Sequence, residues 1–270
     1  EGMVKKVAME RGIKVKVHGK DMLPRTGEYT VELVMPVLAK LFGKKMKFDF
    51  KKHAKDVCKA NEGIPPRYPV LCAGCPHRST FSAVKQVLGE DSLYPGDIGC
   101  YILGIYEPYV VQDFCISMGA SLGISHGMSK VTKQKMVAHI GDSTFFHAGM
   151  PPIANFKFND ESAPLVVILD NSITAMTGHQ PHPGSGFTGM GDKVQPIKIE
   201  EVAKALGAEV RIASSFSQKQ LTETIKELKD MKGARVLISR GECRLLTRRK
   251  YRAQGIPIPK FQIDQKLCKK

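Results

Sequence analysis

Tryptophan is absent from the 270 residues, and aromatics amount to only 7%. The basic stretches therefore lack the aromatic stacking platform of single-strand nucleic-acid binders. Helix-turn-helix, zinc-finger and RNP-like patterns are missing too, which argues against nucleic acid as a partner. No run of about 18 uncharged apolar residues occurs, and the N-terminus has no short apolar secretory core. Neither a membrane helix nor export is expected, and the expected compartment is the cytoplasm. Acidic residues are also scarce, 26 against 41 basic ones, for a formal net charge of +15. The excess gathers in GKKMKFDFKKHAK (43–55) and RLLTRRKYR (244–252), blocks that suit an anionic cofactor or an acidic protein partner.

Against these shortages stands an ordinary 42% of hydrophobic residues, enough for one or two domains with a sizeable core. The start at Glu1 and the end in IDQKLCKK lead us to expect a piece of a longer protein. Residues 1–62 read as the tail of a preceding domain: a short helix, an edge strand in GIKVKVHG (12–19), and a helix from Val31 capped by Thr30. The Pro-rich GIPPRYPV (63–70) forces extended chain before the next element.

From Val70 onward, apolar runs alternate with amphipathic stretches in the rhythm of βαβ units. The pattern predicts helices near 78–88, 112–130, 146–158, 199–206 and 217–230, and strands near 92–95, 135–140, 164–170, 208–212 and 234–239. The expected fold over 63–250 is α/β, a mostly parallel doubly wound sheet with helices on both faces. SAPLVVILDN (162–171) is nearly all apolar, as a parallel strand covered on both sides must be. Residues 251–270 read as a linker onward.

Ligands of such sheets collect outside the carboxyl ends of the strands. Two strands end there in polar groups, MVAHIGDS in Asp142 and LVVILDNS in Asp170-Asn171. A carboxylate at the lip of a buried strand is costly without a partner. Asp142 therefore either caps the next helix or holds a metal, and Asn171 is either a turn residue or a second ligand. Mg²⁺ takes oxygens from one or two side chains, phosphate and water. Asp142, the Asn171 amide oxygen and the Ile173 carbonyl suit it, while Gly141 lets backbone approach a phosphate.

The cysteines number seven, and a reducing compartment does not favour a disulfide framework. Cys72 and Cys75 have the C-x-x-C spacing of a metal or cluster site. With Cys100 and Cys243 they make a possible set of four thiolates for zinc or a [4Fe–4S] cluster; the alternative is that Cys100 and Cys243 are small buried residues. His77, His179 and His182 flank the expected pocket, the last two in the Gly/Pro-rich GHQPHPG. There His179 or His182 is placed to close over a substrate carboxylate or to shuttle protons.

Gly141-Asp142-Ser143 followed by Asp170-Asn171-Ser172 resembles the bipartite thiamine diphosphate motif that usually reads GDG and then NN. Ser143 and Asp170 depart from it. Together with LCAGCPHRSTF, YPGDIGCYILG, GDSTFFHAGMP and DNSITAMTGHQPHPG, it resembles the diphosphate-binding domain of the large subunit of indolepyruvate:ferredoxin oxidoreductases, over roughly 65–245.

The resemblance implies thiamine diphosphate held by Gly141, Asp142, Ser143, Thr144, Asn171, Ile173 and Thr174, with Mg²⁺ on Asp142, Asn171 and Ile173. It implies an iron–sulfur cluster on Cys72, Cys75, Cys100 and Cys243, and makes Cys268 the first ligand of a ferredoxin-like domain cut off after Lys270. The implied reaction is oxidative decarboxylation of an aryl 2-oxo acid to acyl-CoA, with electrons passed to ferredoxin. Implied partners are the small subunit, ferredoxin and coenzyme A. The glutamate that activates the aminopyrimidine belongs to a separate domain not found here, so the chain alone is expected to have no oxidoreductase activity. Two readings compete: a non-redox thiamine decarboxylase or carboligase, and a zinc-stabilised binding module on Cys72, Cys75, His77 and Cys100.

Overall fold

A computed structural model of the chain describes residues 1–159, 163–258 and 262–269. The first residue of the SAPLVVILDN run, and residues 259–261 and 270 of the expected linker, lie outside the described residues. The chain divides into two compact units, Glu1–Tyr68 and Pro69–Lys270.

The first unit holds α1 (Gly2–Glu10), α2 (Val31–Leu41) and α3 (Phe50–Ala60). Asp49 caps α3 by accepting the Lys52 N–H at 3.0 Å. The edge strand expected in 12–19 does not form. These residues join no ladder, and Ile13 and Val15 are more than half exposed. Alternation makes a strand only where a neighbouring segment takes its hydrogen bonds.

The second unit is built on four parallel strands, β1 (Val137–Gly141), β2 (Leu165–Asp170), β3 (Glu209–Ser214) and β4 (Arg235–Arg240), in the order β1-β2-β4-β3. Both faces are apolar and covered. Leu165, Val167, Leu169 and Leu237 pack on one side with α4 (His77–Leu88) and α9 (Gln218–Leu228). Val166, Ile168, Val236 and Ile238 face α5 (Ala120–Ser129), α7 (Met150–Asn159) and α8 (Ile199–Ala205). The chain reverses direction across the sheet between β3 and β4, and right-handed crossovers then put α9 on the opposite face from α7 and α8. The doubly wound expectation holds.

Three local expectations need correction. The predicted helix 112–130 begins only at Ala120, because 111–114 lies extended against 93–96, with Asp113 N–H on Tyr94 O and Gly96 N–H on Phe114 O. The predicted strand 92–95 is reduced to isolated bridges at Leu93 and Pro95. The helix expected at 146–158 starts earlier, as α6 (Asp142–Thr144), and passes through a π-helical turn, Phe145–Gly149, into α7. A 3₁₀ turn, Cys100–Ile105, and α10 (Arg244–Ala253) complete the unit.

His139 on β1 is fully buried between Phe81 and Tyr94, and neither ring nitrogen has a hydrogen-bond partner. Burial pushes its pKa down to about 3. Above pH 6.5 the ring is neutral folded or unfolded; below it, only the unfolded chain gains the proton, so stability falls with acid until about pH 3. His139→Leu is expected to remove about 2 kcal/mol of the stability lost between pH 7 and pH 5, read from urea midpoints of both proteins at the two pH values.

Candidate cofactor site

The carboxyl ends of β1 and β2 open into a narrow cleft of about 60 Å³ lined by Gly141, Asp142, Ser143, Thr144, Asn171, Ile173 and Thr174, together with residues 98–101. All seven residues predicted to bind the cofactor thus share one wall. Asp142 is buried, and its Oδ2 accepts the N–H groups of Asn171 at 3.0 Å and Ser172 at 2.7 Å. Its Oδ1 accepts the Ser143 N–H at 2.8 Å. Asp142 does not cap the helix, whose N-cap position is Gly141. The carboxylate instead clasps the end of the neighbouring strand.

Asn171 is held at both ends of its amide. Oδ1 accepts the Ile173 N–H at 3.1 Å, and Nδ2 donates to His77 Nε2 at 3.3 Å. A Cβ on Gly141 would fall 2.6 Å from the Tyr101 ring. That glycine therefore makes room for Tyr101, whose hydroxyl donates to Ile98 O at 2.8 Å and lies 3.2 Å from Thr144 Oγ1.

A second cavity of about 80 Å³ adjoins the cleft and shares Cys100, Asn171 and Ala175 with it. It is lined by Cys72, Cys75, Cys100 and Cys243, so the predicted four meet at one place. Each arrives by its own backbone device. Cys75 N–H closes a turn on Cys72 O with Gly74 at φ +74°, Cys100 opens the 3₁₀ turn, and Cys243 N–H binds Asn171 O at 3.0 Å. Burial pushes the thiols of Cys75 and Cys100 up to about 11, so without a cation they are protonated. Among the described residues no three His, Cys, Asp or Glu side chains converge closely enough to hold a metal ion as placed. Cys268 is exposed and lines neither cavity, and Cys58 belongs to the first unit.

The loop histidines part company. His179, at φ +68°, reaches Cys243 Sγ with Nε2 at 3.7 Å. His182 turns inward and is buried, its Nε2 3.1 Å from Asp142 Oδ2. It therefore faces the carboxylate from behind rather than closing over a substrate.

One site residue, Asp97, escaped the sequence reading, and Asp170, named there only as a strand end and a departure from NN, gains a partner. Asp97 is fully buried and grips the start of α5, with both oxygens 2.9 Å from the Gly119 N–H and Oδ2 3.0 Å from Ser121 Oγ. It thereby anchors the loop that delivers Cys100; its spacing from Gly119 is too long for a local pattern to betray it. Asp170, the departure from NN, pairs with Arg240 at 2.6 Å, and Arg240 extends to Glu200 at 2.7 Å. Burial raises the Asp170 pKa and neighbouring Asp142 adds to it, while Arg240 opposes both.

Residues 97–239, more than half of the chain, match the family described as thiamine pyrophosphate enzyme, C-terminal TPP binding domain. The chain belongs to that family. It is 39% identical over 99% of its length to "Indolepyruvate oxidoreductase subunit IorA" of Thermococcus kodakarensis, and 40% identical over 94% to the protein of that name from Archaeoglobus fulgidus. It spans 43% and 41% of those relatives. Its fold is similar to that of a 2-oxoglutarate:ferredoxin oxidoreductase from Magnetococcus marinus, with a TM-score of 0.56 and 22% identity over 66% of each chain.

The oxygen donors at the strand ends fit a hard divalent cation. Asp142 Oδ1 and Asn171 Oδ1 each carry a single backbone N–H, which leaves each oxygen a lone pair for a hard cation. Four thiols around one cavity are likewise the donors of a soft metal or cluster.

Proposed function

We propose that this chain is the diphosphate-binding part of the large subunit of a thiamine diphosphate-dependent indolepyruvate, or related aryl 2-oxo acid, ferredoxin oxidoreductase. The observation that carries the reading is the adjacency of two sites that share Cys100 and Asn171: an oxygen-lined cleft at the strand ends and a four-cysteine cavity. Asp142 and Asn171, with the Ile173 carbonyl, hold Mg²⁺; Cys72, Cys75, Cys100 and Cys243 hold a [4Fe–4S] cluster. Bound there, the cofactors would supply carbanion chemistry for loss of carbon dioxide from a 2-oxo acid and a one-electron outlet toward ferredoxin. The residues' own share is to orient the diphosphate and to keep the cysteine cavity beside it.

A small subunit completes the enzyme, and coenzyme A accepts the acyl group. The basic blocks at 43–55 and 244–252 suit an acidic ferredoxin. No described helix is long and apolar enough to cross a membrane, and seven free cysteines support a reducing cytoplasm. A thiamine decarboxylase without redox function has no use for the four-cysteine cavity. The zinc set is disfavoured because His77 Nε2 is already engaged by Asn171.

The test is iron and acid-labile sulfide in the anaerobically reconstituted chain. Both are expected in near-equal amounts, lost in Cys75→Ser and Cys243→Ser and kept in Cys58→Ser. Zinc alone in the wild type sinks the cluster assignment.

A further inference from the structure

Each of the two side chains that face the proposed cation is backed by a buried histidine from another part of the chain. His77 opens α4 directly after the Cys72–Cys75 turn and is 2% exposed. His182 comes from the loop after β2 and is 7% exposed. Neither lies in the cleft lining.

The hydrogen-bond directions can be deduced from fixed donors. The Ile173 N–H can only donate, so the atom of Asn171 that meets it at 3.1 Å is the amide oxygen. The amide nitrogen then faces His77 Nε2 at 3.3 Å, which must offer a lone pair and carry its proton on Nδ1. The same logic applies to His182. Gly184 N–H donates to its Nδ1 at 3.1 Å, so the ring hydrogen sits on Nε2, 3.1 Å from Asp142 Oδ2. That N–H is not aligned on the oxygen and has no other partner; the contact is one of close packing. Oδ2 thus accepts two N–H groups, those of Asn171 and Ser172, and the ring of His182 packs against it at 3.1 Å.

We propose that His77 and His182 are positioning residues of the metal site, His77 locking the Asn171 amide by a hydrogen bond and His182 packing its ring against Asp142 Oδ2, so that both anchors present Oδ1 to a divalent cation. The inference rests on the reading that Asp142 and Asn171 hold the metal of a bound diphosphate. A ligand whose rear atoms are engaged cannot rotate, and loss of such outer partners typically costs about 10–100-fold in metal affinity. His182 is in turn held by space. A Cβ on Gly184 would lie 2.9 Å from the Phe146 ring and 3.2 Å from His182 Cε1.

The experiment titrates Mn²⁺ into the 270-residue chain at saturating thiamine diphosphate, following free Mn²⁺ by its paramagnetic signal. Thiamine diphosphate affinity in EDTA and the thermal midpoint are measured on the same samples. His77→Leu and His182→Leu are each expected to weaken Mn²⁺ binding about 10–100-fold while leaving the metal-free affinity unchanged. His77→Gln, which keeps an acceptor, is expected to recover most of the loss. Should either leucine variant fail to fold, His77→Phe, which keeps a ring without an acceptor, and Gly184→Ala replace them, the second being expected to displace His182 and weaken Mn²⁺ alone. If wild type binds Mn²⁺, Asp142→Ala does not, and the leucine variants or their replacements match wild type, the positioning role is overturned and the site reading stands. If the variants lose thermal stability and metal-free affinity together, with Mn²⁺ affinity unchanged, the histidines are structural. Absence of Mn²⁺-dependent binding in wild type overturns the reading of the site, and the inference with it.

Discussion

Asp142→Asn is expected to lower Mg²⁺-dependent binding of thiamine diphosphate by at least about 100-fold, equivalent to about 2.7 kcal/mol. The change keeps the shape of the side chain and removes the charge. Its oxygen can serve either the Asn171 and Ser172 N–H groups or the Ser143 N–H, which now meet opposite ends of the carboxylate. Whichever end it serves, the amide nitrogen confronts a backbone donor at the other. If the amide nitrogen takes the Oδ1 position, it also points at the cation. Leaving one buried donor unmet costs about 1–3 kcal/mol, so the urea midpoint falls as well. Isothermal titration in Mg²⁺ and in EDTA separates the two losses, because only the metal-dependent part reports the ligand. An unchanged Mg²⁺ dependence would remove Asp142 from the site.

The parts of this fold that were legible are those whose physics is local. β1, β2 and β4 are buried on both faces, so they appear as continuous apolar runs, and their ends are visible because a charged or amide residue follows at once. The C-x-x-C turn is legible for the same reason: Gly74 and the spacing of its two cysteines specify it. What was not legible is held by distant partners. Asp97 sits between glycine and isoleucine with no local pattern around it, yet its carboxylate belongs to the start of α5. The small residues of 115–130 read as helix throughout, whereas Gly119 stops the helix from extending backward by taking φ +84°. The tie of Asp142 to the end of β2 was not visible, because it depends on strand pairing, which no short window contains. Residues 12–19 failed in the opposite direction. Their alternation is real, but a strand needs a neighbour.

Gly119→Ala is expected to be strongly destabilising to the second unit. The position has φ +84°, and an added Cβ would lie 2.4 Å from Ala148 Cβ. Left-handed strain of about 1–2 kcal/mol and overpacking of about 1–3 kcal/mol sum to a loss of roughly 2–5 kcal/mol, a large share of the usual 5–15 kcal/mol. The same methyl one turn further on has the opposite sign. Gly123 lies inside α5 with nothing within 4 Å of a Cβ, so Gly123→Ala is expected to stabilise by about 0.5–1 kcal/mol. Urea midpoints of the pair isolate the backbone geometry from helix propensity. Because the Gly119 N–H is gripped by both oxygens of Asp97, its displacement also loosens the loop that carries Cys100. Alkylation of Cys100 in the metal-free chain, followed by mass spectrometry, is expected to quicken in Gly119→Ala and not in Gly123→Ala. Equal rates in the two variants would show that something other than the Asp97 clasp holds Cys100 at the cavity.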